Sequence, residues 1–136
     1  MRTRSRALAA VALSATLLLG ACSSGDDTAG SITDVTVTEA VDVVAQEDMN
    51  ILDVRTPAEF AAGHLEGAVN IDVQSPDFDA AVAQLPKDEE WFVYCRSGNR
   101  SGVATDRMAE LGFTRMYDLQ GGINDWTAAG QPVVTG

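Results

Sequence analysis

Cys95-Arg96-Ser97-Gly98-Asn99-Arg100-Ser101 brings together a thiol, two guanidinium groups, two hydroxyls and a glycine within seven residues. A thiol reacts as its thiolate, and an ordinary cysteine, with a pKa of about 8.5, holds little thiolate at neutral pH. A loop rich in small residues can turn successive backbone N–H groups inward. A helix beginning near Ser101 would add the positive end of its dipole, and Arg96 and Arg100 would add two fixed charges. All three effects favour the thiolate. The chemistry expected is nucleophilic attack by Cys95, with Arg96 to Ser101 binding an anionic substrate and stabilising the sulfur. An inert cysteine packed at a strand end is the alternative, and it leaves the two arginines and the glycine without a purpose.

The elements on either side must hold this loop in place. Trp91-Phe92-Val93-Tyr94 is aromatic and β-branched, so it reads as a buried strand that delivers Cys95 to its C-terminal edge. In an open α/β sheet that edge is where ligands bind. After the loop, Val103, Ala104, Met108 and Leu111 recur at helical intervals until Gly112 stops them. Arg115 to Leu119 forms a further strand, and Gly121-Gly122 opens a last helix anchored by Trp126, with Gly130 and Pro132 as stop signals.

Upstream, Val35-Thr36-Val37 alternates like a short strand, and Thr38 is expected to cap a helix through about Gln46. Asn50 to Val54 is a second strand, ending beside Arg55. Thr56-Pro57-Ala58-Glu59 carries a capping box with proline at the first helical position, and Gly63 ends that helix. Ala68 to Ile71 is a third strand. A helix from about Pro76 to Leu85 places Phe78, Val82 and Leu85 on one face. Strands alternating with helices predict an α/β fold with a parallel sheet and helices on both faces. Trp91, Phe92, Phe113 and Trp126 are assigned to the core.

These motifs, in this order and spacing, resemble the rhodanese-like, or sulfurtransferase, family. Besides the cysteine loop, Leu52-Asp53-Val54-Arg55, Glu59-Phe60, Gly63-His64-Leu65-Glu66-Gly67-Ala68-Val69-Asn70 and Leu119-Gln120-Gly121-Gly122-Ile123-Asn124-Asp125-Trp126 carry the resemblance, which runs from about Ile32 to Val134. It implies a five-stranded central sheet and a Cys95 that accepts sulfane sulfur as a persulfide. The partners implied are a small sulfur-containing anion such as thiosulfate as donor and a thiol or cyanide-like acceptor. Asp53, Arg55 and Glu59 are supporting charges that cap and tie elements around the site. Related phosphatases place five residues between Cys and Arg, whereas four separate Cys95 from Arg100, so the cradle is expected to suit a sulfur atom better than a tetrahedral oxyanion. Phosphatase or arsenate-reductase chemistry is the enzymatic rival, and a persulfide-binding or sensing module without turnover is the rival of another class.

The remaining residues narrow the setting. His64 is the single histidine, so a His-rich metal site is excluded, and its place after Gly63 suits a structural role. No phosphate-loop or dinucleotide fingerprint is present, and no cofactor is expected. Arg2, Arg4 and Arg6 followed by apolar Ala7 to Leu19 read as a signal peptide over residues 1–21. Leu19-Gly20-Ala21-Cys22 resembles a bacterial lipobox, which implies acylation of Cys22 and an exported protein held on the extracytoplasmic face of the cell membrane. Residues 22–31 form a tether rich in Ser, Gly, Asp, Thr and Ala, and residues 32–136 the domain. Cys95 would then be the free thiol of an exported protein, where an unpaired cysteine suggests reactivity. The whole chain has a net charge of −11; without the three signal arginines it keeps six basic residues against 20 acidic ones, a net charge of −14. That balance argues against nucleic acid and against direct adsorption to anionic lipid, so membrane attachment rests on the lipid anchor alone.

Overall fold

The computed structural model describes residues 30–136. The signal peptide, Cys22 and nearly all of the tether lie outside the described residues. The elements run β1 (Ser31–Val35), α1 (Val37–Val44), β2 (Asn50–Asp53), α2 (Pro57–Ala62), β3 (Val69–Asn70), α3 (Phe78–Val82), β4 (Glu90–Tyr94), α4 (Asn99–Glu110), β5 (Arg115–Leu119) and α5 (Gly122–Ala128). The strands form one five-stranded sheet in the order β1-β5-β4-β2-β3, and every pairing is parallel.

Strand periodicity builds two cores from this one sheet. Successive residues of β4 point to opposite faces. Trp91, Val93 and Cys95 pack with Leu52, Phe78, Val82, Met108 and Phe113 on one side, whereas Phe92 and Tyr94 pack with Ala40, Leu119, Ile123 and Trp126 on the other. The first face is covered by α3 and α4, the second by α1 and α5. A strand buried on both faces needs a continuous apolar run, which Trp91 to Tyr94 supplies. The indole N–H groups keep partners: Trp91 donates to the Pro86 carbonyl and Trp126 to that of Pro132, each at 2.9 Å.

Five local readings are corrected. The first strand is Ser31–Val35 rather than Val35 to Val37, so Ser31 belongs to the sheet and not to the tether. Thr36, not Thr38, precedes the first helix, because the Glu39 carboxylate accepts from the Thr36 N–H at 2.8 Å and closes a capping box there. The third helix is only Phe78–Val82, and the third strand only Val69–Asn70. The helix after the cysteine loop begins at Asn99, two residues before Ser101, because Gly98 turns the chain at φ +104°. Only glycine takes that conformation without strain.

The connections from β2 to β3 and from β4 to β5 leave in opposite directions along the sheet. Between the C-terminal ends of β2 and β4, where Asp53 pairs with Tyr94, the fold therefore has the crevice at which α/β sheets bind ligands.

Candidate active site

Cys95 follows the last residue of β4 and is only 1% exposed. Its sulfur accepts a hydrogen bond from the Gly98 N–H at 3.0 Å and lies 3.5 Å from the Ser101 hydroxyl. Burial pushes the Cys95 thiol up, but the Ser101 hydroxyl and the N–H groups of Ser101, Gly98 and Ser97 outweigh it and bring the thiol below its ordinary value. The loop is thus a nest of backbone amides at the start of a 12-residue helix, poised to hold negative charge on sulfur.

The two arginines differ in their surroundings. The largest contributions that lower the Cys95 thiol come from neutral donors, and Arg100 adds a Coulombic attraction to the sulfur. Both terminal nitrogens of Arg100 donate to Glu59, at 2.8 Å each. Its charge is compensated across 41 residues of sequence, and the pair clamps the loop to α2. Glu59 also accepts from the Thr56 N–H at 3.1 Å and is held at about 2, chiefly by Arg100. Arg96, by contrast, is exposed and makes no ion pair among the described residues. Ser97 and Asn99 are exposed as well, with Asn99 at the mouth of two shallow clefts.

Asp53 and Arg55 form a buried bidentate pair, with Arg55 Nη2 2.6 Å from Asp53 Oδ2 and Nε 2.9 Å from Oδ1. Arg55 also donates to the Gly63 carbonyl at 2.7 Å, so it ties the end of β2 to the end of α2. The Asn70 amide donates to the carbonyls of Asp53 and Arg55, adding β3 to the same knot. These contacts of Asp53, Arg55 and Glu59 tie β2, α2, β3 and the cysteine loop together. His64 is structural too. Its Nδ1 lies 2.8 Å from the Phe60 carbonyl, which can only accept, so Nδ1 carries the proton, and the ring stacks on Phe60 at 3.6 Å.

Several contributors were not assigned to the site from the sequence. Tyr94, assigned only to the strand, donates its hydroxyl to Asp53 at 2.6 Å and accepts from the Leu65 N–H at 3.1 Å. Burial and the Asp53 carboxylate push its phenol well up, so it stays a donor. Gly121 and Gly122 brace the loop from below: the Ile123 N–H donates to the Cys95 carbonyl at 2.9 Å and that of Asn124 to Arg96 at 3.1 Å. A Cβ on Gly122 would lie 2.5 Å from the Arg96 carbonyl, so only glycine allows this approach. Asp118, on β5, is buried with Oδ1 lacking any partner.

Comparison with known proteins points the same way as the geometry. Residues 36–129 match the rhodanese-like domain family. A sulfurtransferase of Allochromatium vinosum is 36% identical over 88 residues, which span 65% of this chain and 80% of that protein. The chloroplastic thiosulfate sulfurtransferase 16 of Arabidopsis thaliana is 36% identical over 91 residues, spanning 60% of this chain and 76% of its own. A rhodanese-related protein of Thermoplasma volcanium superposes with a TM-score of 0.68 at 28% identity, covering 76% of this chain and 99% of its own.

Proposed function

Because the chain belongs to the rhodanese-like domain family, we propose that it is a sulfurtransferase that carries sulfane sulfur on Cys95 as a persulfide. The Cys95 thiolate attacks the outer sulfur of an anionic donor such as thiosulfate. A new S–S bond forms, the donor's own S–S bond breaks, and sulfite leaves with the electron pair. A nucleophilic acceptor, a thiol or cyanide, then attacks the outer persulfide sulfur and releases the Cys95 thiolate. Each step exchanges one bond to sulfur for another, so no outside oxidant or reductant is required, and the kinetics are ping-pong.

The observation that carries this reading is the set of backbone amides on the Cys95 sulfur, with Gly98 N–H at 3.0 Å. Amides of Ser97, Gly98 and Ser101 hold charge on the thiolate and then on the persulfide. Exposed Arg96 is positioned to meet an approaching anion. The engagement of both Arg100 terminal nitrogens by Glu59 favours sulfur over phosphate ester chemistry, since chelating an oxyanion would first require breaking that pair.

Intact mass of the full chain after thiosulfate treatment tests the reading, with Cys95→Ser as control. One added sulfur atom, removed by cyanide and absent from the control, is the expected result. A protein that loads sulfur once but never turns over with cyanide or a small thiol would instead be a sensing or carrier module. The proposal extends to location: residues 1–21 export the protein and a lipid on Cys22 anchors it to the extracytoplasmic face of the membrane. A Cys22→Ala protein should then leave the membrane fraction, and its retention there would defeat the anchor.

A further inference from the structure

Asp118 is a buried acid for which the sulfur-transfer scheme has no use. It is 4% exposed, pairs in register with Val93 two residues before Cys95, and keeps Oδ1 without a hydrogen-bond partner. Its other oxygen lies against the first turn of α4, 3.7 Å from where a Cβ on Gly102 would stand. The adjoining residue is Ser101, fully buried in the same turn, and its hydroxyl favours the ionised Asp118 carboxyl. An open cleft of about 460 Å³, lined by Asp34, Gly98, Asp106, Asp118 and Gln120, connects the carboxyl to solvent.

A hydroxyl has one proton to donate, and more than one acceptor competes for that of Ser101. The Gly98 carbonyl lies at 3.1 Å and the Cys95 sulfur at 3.5 Å, and the Asp118 carboxylate, set against the adjoining Gly102, is a further acceptor beside the same turn. The geometry points to Asp118 as a positioning residue that controls, through the Ser101 hydroxyl, how strongly the Cys95 thiolate is stabilised. An ionised Asp118 draws the Ser101 proton toward itself and away from sulfur. A protonated Asp118 no longer competes, and it can donate its own proton to Ser101 Oγ while Ser101 donates to the thiolate. The proton on Asp118 comes from solvent through the cleft, and none is transferred from Cys95.

The charges around Asp118 bring this exchange into an accessible range. Burial pushes its carboxyl up to about 6, and Asp34 from β1 and Asp106 from α4 add to the rise. Ser101 and Gln120 favour the ionised form, and β4 presents uncharged Val93. The biological meaning assigned to this coupling rests on Cys95 being the sulfur carrier, but the coupling is measurable without turnover.

The test is the pH profile of Cys95 alkylation by iodoacetamide in the full chain carrying Cys22→Ser, so that Cys95 is its one thiol. Asp118→Asn should react about three- to tenfold faster than its parent at pH 7, and at the same rate near pH 5, where Asp118 is already protonated. Asp118→Ala removes the same competing acceptor and should shift the profile in the same direction. In a Ser101→Ala background the Asp118→Asn acceleration should vanish. Equal rates at pH 7 would overturn the proposal, and so would an acceleration that persists without the Ser101 hydroxyl, since the carboxylate would then act through space. Failure of the wild-type protein to accept sulfur would defeat the sulfurtransferase reading and leave this result standing.

Discussion

Two buried acids flank the strand that carries Cys95, and the fold treats them in opposite ways. Asp53 on β2 is fully buried, grips Arg55 with both oxygens and accepts the Tyr94 hydroxyl. Asp118 on β5 is almost as buried, has an orphan oxygen and faces two other acids. A charge withdrawn from water is tolerated where a rigid set of donors replaces that water. The Asp53 side of β4 is therefore a fixed scaffold. The Asp118 side stores an unfavourable charge next to the reactive loop, an arrangement that a purely structural acid would not need.

Removing the partner on the satisfied side should have the largest effect. Arg55→Ala leaves Asp53 buried without its cation, and loss of one member of a buried pair costs about 3–5 kcal/mol. Both side chains are nearly inaccessible, at 6% for Arg55 and 0% for Asp53, so water cannot replace the guanidinium without a local opening. Urea unfolding would read the loss as a lower midpoint. A change under about 1 kcal/mol would mean that Tyr94 and the backbone already satisfy Asp53.

The opposite sign is expected on the other side. Asp118 has an ordinary value of 3.8 and a folded value of about 6, so between these the folded state holds more protons than the unfolded state. Stability contributed at this position falls as pH rises from 3.8 to 6, and the penalty is complete above that. Asp118→Asn should therefore stabilise the protein at pH 7 by up to about 3 kcal/mol, less whatever the amide costs unpaired, and should be neutral near pH 4. Thermal unfolding at both pH values checks this. A variant less stable than wild type at pH 7 would show that the carboxylate has gained partners and that the contrast with Asp53 is wrong.

Why one acid was readable and the other was not follows from the range of their contacts. Asp53 and Arg55 are two residues apart at the end of one strand, so their pairing is written locally. The Thr56 to Glu59 capping box and the strand that delivers Cys95 are equally local, and each stands where the sequence places it. Val35-Thr36-Val37 misled because its alternation suits a strand, yet Thr36 and Glu39 satisfy the helix start and pull Val37 into α1. Asp118 carries no signal, since Tyr117-Asp118 reads the same whether the acid points to solvent or inward, and only assembly of β1, β5 and α4 decides. Glu59 and Arg100 stand 41 positions apart. Their charges could be read separately, but their pairing required the fold, which gives the loop arginine a clamping contact to α2.

That clamp offers the smallest perturbation. Arg100 and Glu59 are about a quarter exposed, at 23% and 28%, so solvent screens them and Glu59→Gln should cost no more than about 1 kcal/mol at neutral pH. The folded-state value of Glu59 is depressed from 4.5 to about 2, so its contribution is complete above 4.5 and lost as pH falls toward 2. The difference between wild type and Glu59→Gln in urea should shrink across that acid window and be constant above it. Because neutral donors hold the sulfur, releasing Arg100 should change the Cys95 alkylation rate at pH 7 by less than about twofold. A larger acceleration would mean that the freed guanidinium reaches the thiolate. Glu59 would then be suppressing a cation in the cradle, and the scaffold side of the site would be tuning the thiol as Asp118 does from the other.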